Sequence, residues 1–147
     1  MNAKQKITSR IIWILVAAAV VIVGAWPVRY LASPQWEVFV VRENGQPIPS
    51  MNVCLVYENY SAEGADHEIT LKTDEHGRAF FPPRYRRASL FQRVLYTVLA
   101  ARAFVHASFG RHAYVFAFGD GYEGIDGTDW RGTPESLQSK IVIKTPQ

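Results

Sequence analysis

The chain has 147 residues, 48% of them hydrophobic and 20% charged, which is typical of one folded domain with a short additional segment. The formal net charge is +3, but residues 1–35 carry four basic residues and no acid. The remaining residues, 36–147, carry 12 basic and 13 acidic residues and are therefore close to neutral. This distribution gives no reason to expect nucleic-acid binding. The single cysteine, Cys54, excludes an internal disulfide and is expected to be a small buried hydrophobe.

The N-terminal segment is dominated by an uncharged apolar run at residues 11–28. As a helix this run is about 27 Å long, close to the roughly 30 Å thickness of a bilayer's hydrocarbon core. Lys4, Lys6 and Arg10 precede it, so the positive-inside rule puts residues 1–10 in the cytoplasm and 36–147 outside. We expect a transmembrane helix at 11–28 and a linker at 29–35. The alternative is a signal peptide cleaved near Ala25, and both interpretations export the domain.

The first part of the exported domain alternates apolar and polar residues, with turn signals at Asn44-Gly45 and at Gly77. It therefore predicts four strands, at 36–41, 51–57, 67–73 and 78–81.

Residues 89–101 instead follow a helical period, with Ser89 as a candidate N-cap. Their large apolar residues fall on one face of the predicted helix: Leu90, Phe91, Val94, Leu95, Val98 and Leu99.

The remaining residues predict strands at 104–109, 112–118 and 137–144, with a Gly- and Asp-rich loop at 119–133. The whole pattern predicts a mainly β fold. We expect an antiparallel β-sandwich of about seven strands with one inserted helix.

Two turns carry a resemblance to a known family. Residues 38–53 contain Gly45-Gln46-Pro47-Ile48 between two strands, and residues 73–81 read Thr-Asp-Glu-His-Gly-Arg-Ala-Phe-Phe. Together they resemble the carboxypeptidase regulatory-like domains of the transthyretin-like (prealbumin-like) sandwiches, mainly over 36–82. The segment 84–103 departs from the family pattern. The resemblance implies a non-catalytic, exported module, because the zinc site of such carboxypeptidases lies in a separate domain.

No catalytic residue is predicted, and we expect that the chain is not an enzyme and needs no cofactor. The C-terminal Tyr-Arg-Gly-Ser of the related hydroxyisourate hydrolases is absent, as is a Gly-x-Ser-x-Gly turn, so a small hydrolase is the least favoured alternative. No metal site is predicted. Asp120, Asp126 and Asp129 are kept as weak calcium candidates, because their spacing does not match an EF-hand.

Charge polarity offers a candidate partner surface. Residues 36–75 carry eight acids and two bases, whereas 76–119 carry seven arginines and no acid. The arginines either pair with the acidic strands or contact anionic lipid or a protein partner in the cell envelope. Two aromatic residues in the Gly-rich loop could stack on carbohydrate or anchor the loop. The candidate surface residues are Arg84, Arg86, Arg87, Arg93, Tyr122 and Trp130.

The expected function is therefore a membrane-anchored, extracytoplasmic module with a binding or structural role. The alternative is a secreted or periplasmic carbohydrate-binding module.

Overall fold

The computed structural model of the chain describes residues 3–119, 122–125 and 129–143, with side chains from residue 9 onward except at 122–125. These residues form a mainly β fold, which confirms the predicted class. The elements in chain order are α1 (Ala3–Ala25), β1 (Val28–Ser33), β2 (Gln35–Arg42), β3 (Asn52–Asn59), β4 (His67–Lys72), β5 (Arg78–Phe81), β6 (Arg84–Ala88), α2 (Leu90–Ala101), a 3₁₀ turn (Phe104–His106), β7 (Arg111–Gly119), β8 (Tyr122–Ile125) and β9 (Ser136–Ile143).

Two sheets and a separate ribbon make up the domain. One sheet has the order β5-β2-β9, the other β4-β3-β7-β8, and β1 pairs only with β6. The apolar positions of the alternating strands meet between the sheets, because successive side chains of a strand point to opposite faces. Fully buried members of this core include Trp36, Val38, Val40, Leu55 and Val115.

The expectation of a purely antiparallel sandwich was wrong at one edge. β9 pairs with β2 in parallel, from Gln35 opposite Ser136 to Arg42 opposite Ile143. A parallel pair needs a long crossover between its strands, and here most of the domain lies between them. The alternation of residues 137–144 predicts the strand but carries no information on its direction.

The expected linker at 29–35 was also wrong, because Val28–Ser33 is β1. It pairs antiparallel with Arg84–Ala88, a strand that the sequence did not predict. Neither segment has a clear alternation, and each gains its backbone partners from a segment more than 50 residues away in the sequence. Local patterns therefore do not reveal this ribbon.

Two predictions around β7 need correction. The expected strand at 104–109 is instead a 3₁₀ turn at Phe104–His106 and an extended stretch, with Phe104 in the left-handed region at φ 48°. Conversely, the expected loop at 119–133 contains β8, which pairs with β7. In both cases, whether a segment finds a sheet edge to pair with decides if it becomes a strand, and its β propensity alone does not.

The two turns that carry the family resemblance lie against each other. The Thr73 hydroxyl donates to the Ile48 carbonyl over 2.7 Å and accepts from the Met51 amide over 2.9 Å. Gly77 adopts φ 70°, and its carbonyl accepts from the Val40 amide over 2.8 Å. The two motifs are thus parts of one packed unit beside β2.

At the N-terminus, α1 spans Ala3–Ala25 and so includes most of the apolar run 11–28. Within the residues that the structure describes, however, no helix was found to combine the length and apolar character of a membrane span.

Candidate functional site

Helix α2 has the opposite orientation to an ordinary amphipathic surface helix. Its half-buried residues recur at one helical spacing, namely Gln92, Arg93, Tyr96 and Ala100, and these are mostly polar. This half-buried face lies towards the β domain, whereas a surface helix normally turns its apolar stripe to the core. No residue of the helix is buried.

The polar face of α2 is fixed by specific contacts with the turn that follows β3. The Gln92 side-chain amide donates to the Ala62 carbonyl over 2.9 Å. The Tyr96 ring lies so close to Gly64 that a Cβ atom there would be 2.9 Å from it. Ser89 caps the helix as predicted, since its hydroxyl accepts from the Gln92 amide over 3.1 Å. The orientation of the helix is therefore set by its polar residues.

The apolar face of α2 points away from the domain. Its six large apolar residues are each between 42% and 56% exposed. The 3₁₀ turn that follows continues this surface, with Phe104 84% and Val105 92% exposed. A contiguous exposed apolar surface of this kind usually marks a site that contacts another protein, a ligand or a membrane. We call these eight residues the apolar face: Leu90, Phe91, Val94, Leu95, Val98, Leu99, Phe104 and Val105.

The apolar face begins where α1 ends. The Phe91 ring lies directly on the backbone of Gly24, so that any Cβ atom at residue 24 would overlap the ring. Leu90 and Phe91 also line an apolar groove of about 290 Å³ together with Ala19, Val20 and Val23 of α1. The uncharged C-terminal part of α1 and the exposed helical face thus form one continuous surface.

The predicted partner arginines divide into two groups. Arg86 pairs with the Glu63 carboxylate over 3.2 Å, which is the pairing expected for arginines that cover acidic surface. Arg84 and Arg87 are exposed, and within the described residues neither has a carboxylate within ion-pair distance. Pairing with the acidic strands therefore accounts for only one of the three arginines of β6.

The fourth predicted arginine, Arg93, lines a cleft of about 430 Å³. Arg29 and Arg111 line the same cleft, and within the described residues none of the three has a carboxylate partner. Arg111 is held by two carbonyls, since it donates to Leu31 over 3.3 Å and to Gly132 over 3.1 Å. We call this site the arginine cleft; its other lining residues are Val28, Tyr30, Asn59, Ser61, Thr97 and Gly110.

Tyr30 forms the neutral wall of the arginine cleft. Arg93 lies 5.2 Å from the centre of its ring, and the Tyr30 hydroxyl donates to Glu63 over 3.1 Å. Burial and then the nearby Glu63 carboxylate raise the pKa of Tyr30 to about 12, so the phenol stays protonated at neutral pH. Glu63 is also bound by Arg86 and by His67, over 3.2 and 3.0 Å. The Glu63 carboxylate is therefore already bound by other donors.

The structure corrects the prediction for Trp130. Its ring is only 1% exposed, and its indole N–H donates to the Pro134 carbonyl over 2.9 Å. A ring buried in this way anchors its loop and offers no free face for stacking on carbohydrate. Tyr122 lies in β8, and its side chain is outside the described residues.

Of the three calcium candidates, only Asp129 has a described side chain. Its carboxylate lies 3.5 Å from His112 and 3.7 Å from Arg131, so its ion-pair partners among the described residues are basic side chains. Asp120 and Asp126 lie outside the described residues. Within the described residues no cluster of three or more metal-binding side chains was found.

Sequence reasoning missed Arg29 and Arg111 as members of a site. Arg29 counted only as a charge after the apolar run, and Arg111 only as a turn residue. The signal that could have found them is the absence of any acid between residues 76 and 119, together with Arg29, the basic residue that directly follows the apolar run 11–28.

Comparisons with known proteins give no family. No family description matches the chain, and no curated protein matches it. Among solved structures, it is similar to 3-chlorocatechol 1,2-dioxygenase from Rhodococcus opacus 1CP, with a TM-score of 0.44 and 16% identity over 80% of this chain and 62% of the other. It is also similar to catechol 1,2-dioxygenase from Acinetobacter sp. ADP1 inhibited by bound mercury, with a TM-score of 0.35 and 12% identity over 78% and 52%. The chain thus spans less than two thirds of either protein.

These two structures contradict the prediction that the chain is not an enzyme, because both are dioxygenases. We therefore withdraw the exclusion of enzymatic activity. Structural similarity at these TM-scores does not assign dioxygenase activity, a substrate or a cofactor to this chain.

Proposed function

We propose that the chain is a membrane-anchored, extracytoplasmic β-sandwich module, held by residues 11–28 and resting on the bilayer through the apolar face of α2. The observation that carries the proposal is the orientation of α2. Its polar side faces the domain, its apolar side faces outward, and this outward side begins at the end of α1. A lipid surface is the occupant that fits both features.

The anchor itself is supported by the uncharged run and by its flanks. The 18 residues from 11 to 28 contain no charge, and the apolar side chains of α1 between residues 11 and 23 are largely exposed. Lys4, Lys6 and Arg10 favour a cytoplasmic N-terminus, so the β domain would lie outside. No described helix was found to qualify as a span, so the anchor needs a direct test.

The position of α2 supports a second, interfacial contact. If Gly24 lies at the outer end of the span, its contact with Phe91 brings the start of α2 to the same depth. An amphipathic helix at the interface buries its apolar face about 5–10 Å into the boundary between headgroups and acyl chains. The exposed arginines of β6, immediately before α2, would then lie beside the headgroups.

For the fold, we propose that the domain is transthyretin-like and resembles the carboxypeptidase regulatory-like modules. The support comes from residues 73–81 and 45–49, which form one packed unit joined by the Thr73 hydroxyl. The parallel pairing of β2 with β9 is the feature by which this domain differs from the antiparallel sandwich predicted from the sequence.

Fractionation of membranes tests the anchor. With a C-terminal tag, the full chain should stay in the membrane pellet after carbonate extraction, and protease added from outside should digest the domain. A soluble product that begins at Trp26 would instead identify a cleaved signal peptide and would contradict the proposed anchor.

Depth-dependent fluorescence quenching tests the α2 contact in the full chain. Cys54 is the only cysteine and is buried, so a fluorophore can be directed to an introduced cysteine. A probe at Val98→Cys should be quenched by spin-labelled lipids. A matched probe at Glu43→Cys should not be quenched, because the turn after β2 lies about 26 Å from Gln35 along the strand. Equal quenching at both positions would count against the α2 contact.

A further inference from the structure

We propose that the arginine cleft binds the phosphate group of an anionic lipid headgroup. The phosphate chemistry follows from the cleft alone. The lipid source of that phosphate rests on the proposed function, because the cleft lies beside the start of β1, immediately after α1.

The cleft brings cations together from three separate parts of the chain. Arg29 comes from β1, Arg93 from α2 and Arg111 from the start of β7. A planar guanidinium with several fixed donors suits phosphate oxygens better than a lysine ammonium does. Thr97 and Ser61 add hydroxyl groups to the same lining. This is a donor-rich site, and donors are what a phosphate group requires.

The cleft also holds positive charge that the described part of the chain does not neutralise. Within the described residues, none of its three arginines has a carboxylate partner, and the nearby Glu63 is already bound by Tyr30, Arg86 and His67. Concave walls concentrate the potential of like charges and attract a counter-ion.

A second observation places a further positive charge beside the cleft, on Arg87, which is not one of its lining residues. Arg29 of β1 lies directly opposite Arg87 of β6 in the antiparallel ribbon. Like charges at opposed positions of a strand pair are destabilising. Stacking of Arg29 on the Tyr85 ring, 3.9 Å from its centre, orients the guanidinium but supplies no negative charge. A bound anion would relieve the repulsion between Arg29 and Arg87.

The size and position of the cleft favour a headgroup. Its volume of about 430 Å³ lies in the usual range for small-ligand sites, roughly 300–1,000 Å³. Arg93 and Thr97 come from the half of α2 opposite the apolar face. Val28 and Arg29, however, come soon after the end of α1, so a lipid could place its phosphate in the cleft while its acyl chains follow α1.

The test uses the full chain in non-ionic detergent micelles with two phosphate probes. Native mass spectrometry measures retention of phosphatidylglycerol against phosphatidylcholine with the same acyl chains. Isothermal titration calorimetry measures binding of glycerol 3-phosphate. The variants are Arg29→Gln and Arg93→Gln, and the matched control is Arg42→Gln, which removes the same charge from an exposed residue at the far end of β2.

We expect preferential retention of phosphatidylglycerol, and about a tenfold loss of affinity in each cleft variant but not in Arg42→Gln. Arg93→Lys should bind with intermediate affinity, because lysine keeps the positive charge but lacks the planar guanidinium with its paired N–H donors. Binding of glycerol 3-phosphate with the same arginine dependence, without preference for phosphatidylglycerol, would assign the cleft to a soluble phosphate ester. No binding of either probe by a folded chain, or an equal loss in Arg42→Gln, would overturn the proposal.

The outcome is separable from the test of the anchor. If carbonate extracts the chain from the membrane but the chain still binds glycerol 3-phosphate through Arg93, the proposed anchor is refuted and the proposed phosphate site stands. If the chain resists extraction but binds neither probe, the proposed anchor stands and the proposed phosphate site is refuted.

Discussion

The ring of Phe91 lies on the backbone of Gly24, and this contact joins the N-terminal helix to the start of α2. Only glycine leaves room for the ring at that position. The contact brings the uncharged run and the outward apolar face together at one end of the domain. It is therefore the most direct point at which to disturb their relationship.

Gly24→Val should displace Phe91 and open the groove between the two helices. Because the overlapping atoms belong to the end of a flexible side chain, we expect only a small change in unfolding free energy, within about 1 kcal/mol. The rate of maleimide labelling at an introduced Leu90→Cys should rise, since Leu90 lines the groove. Ala17→Val, elsewhere on α1, is the control and should leave the labelling rate unchanged. An unchanged rate in Gly24→Val would mean that the contact does not form in solution.

Ser139→Ala should lower the unfolding free energy by about 1–3 kcal/mol, because it leaves a buried donor without its acceptor. The Trp36 indole N–H donates to the Ser139 hydroxyl over 2.7 Å, and both residues are buried between β2 and β9. Urea denaturation of the two proteins measures the difference. Ser136→Ala, exposed on the same strand, should change the value by no more than about 0.5 kcal/mol. Equal effects of the two substitutions would argue against the hydrogen bond.

Gly77→Ala should be more damaging than Gly45→Ala. Both glycines have a positive φ, at 70° and 83°, so each substitution carries a backbone cost of about 1–2 kcal/mol. At Gly77 a Cβ atom would also lie 2.5 Å from the Val40 carbonyl oxygen, whereas at Gly45 it meets open space. Overpacking of this kind adds about 1–3 kcal/mol. The difference in urea midpoint between the two variants measures the contact alone, and equal midpoints would refute it.

Asp74 should contribute a pH-dependent part of the stability of its turn. Its side chain accepts from the amides of His76 and Arg78, both over 2.9 Å, and the bond with Arg78 is the main cause that lowers the pKa of the carboxyl below its usual 3.8. A lowered folded-state pKa means that this contribution is present above pH 3.8 and is lost as the pH falls through the folded-state value.

Asp74→Asn tests this directly, because the amide oxygen can still accept both bonds but does not titrate. The variant should melt with a smaller acid-induced fall in transition temperature between pH 5 and pH 2 than the parent, as measured by circular dichroism. Glu75→Gln, exposed in the same turn, serves as the control for removal of a nearby charge. A wild-type acid profile in Asp74→Asn would exclude a role for this carboxylate.

The parts of the fold with strong local patterns could be predicted. Strands β2 to β5, the turns at Gly45 and Gly77, and α2 with its Ser89 cap follow from alternation, turn chemistry and helical period. The ribbon of β1 and β6 could not be predicted, because its arginine-rich strand gains stability only from pairing with a distant segment. Strand direction at the β2–β9 edge was equally hidden, since alternation is the same in parallel and antiparallel strands.

The candidate site was only partly visible in the sequence. The apolar residues of α2 were identified correctly, but an amphipathic pattern does not say which side faces the domain. That side is decided by Gln92 and Tyr96, whose contacts with residues 62 and 64 are long-range. Trp130 shows the opposite case, because an aromatic residue in a Gly-rich loop looks exposed until its hydrogen bond to Pro134 is known.

The parallel pairing of β2 with β9 has a mechanical consequence. Its eight residue pairs run from Gln35, near the proposed anchor, to Ile143 at the opposite end of β9. Tension between these two points would act along both strands in opposite senses, so the backbone hydrogen bonds would share the load in shear. Tension applied at Gln35 and Phe81, at the same end of the antiparallel β2–β5 pair, would instead unzip the bonds one at a time. The domain should therefore resist a pull between its anchor side and its last described strand better than a pull across β5, and single-molecule force spectroscopy with these two attachment geometries would measure the difference.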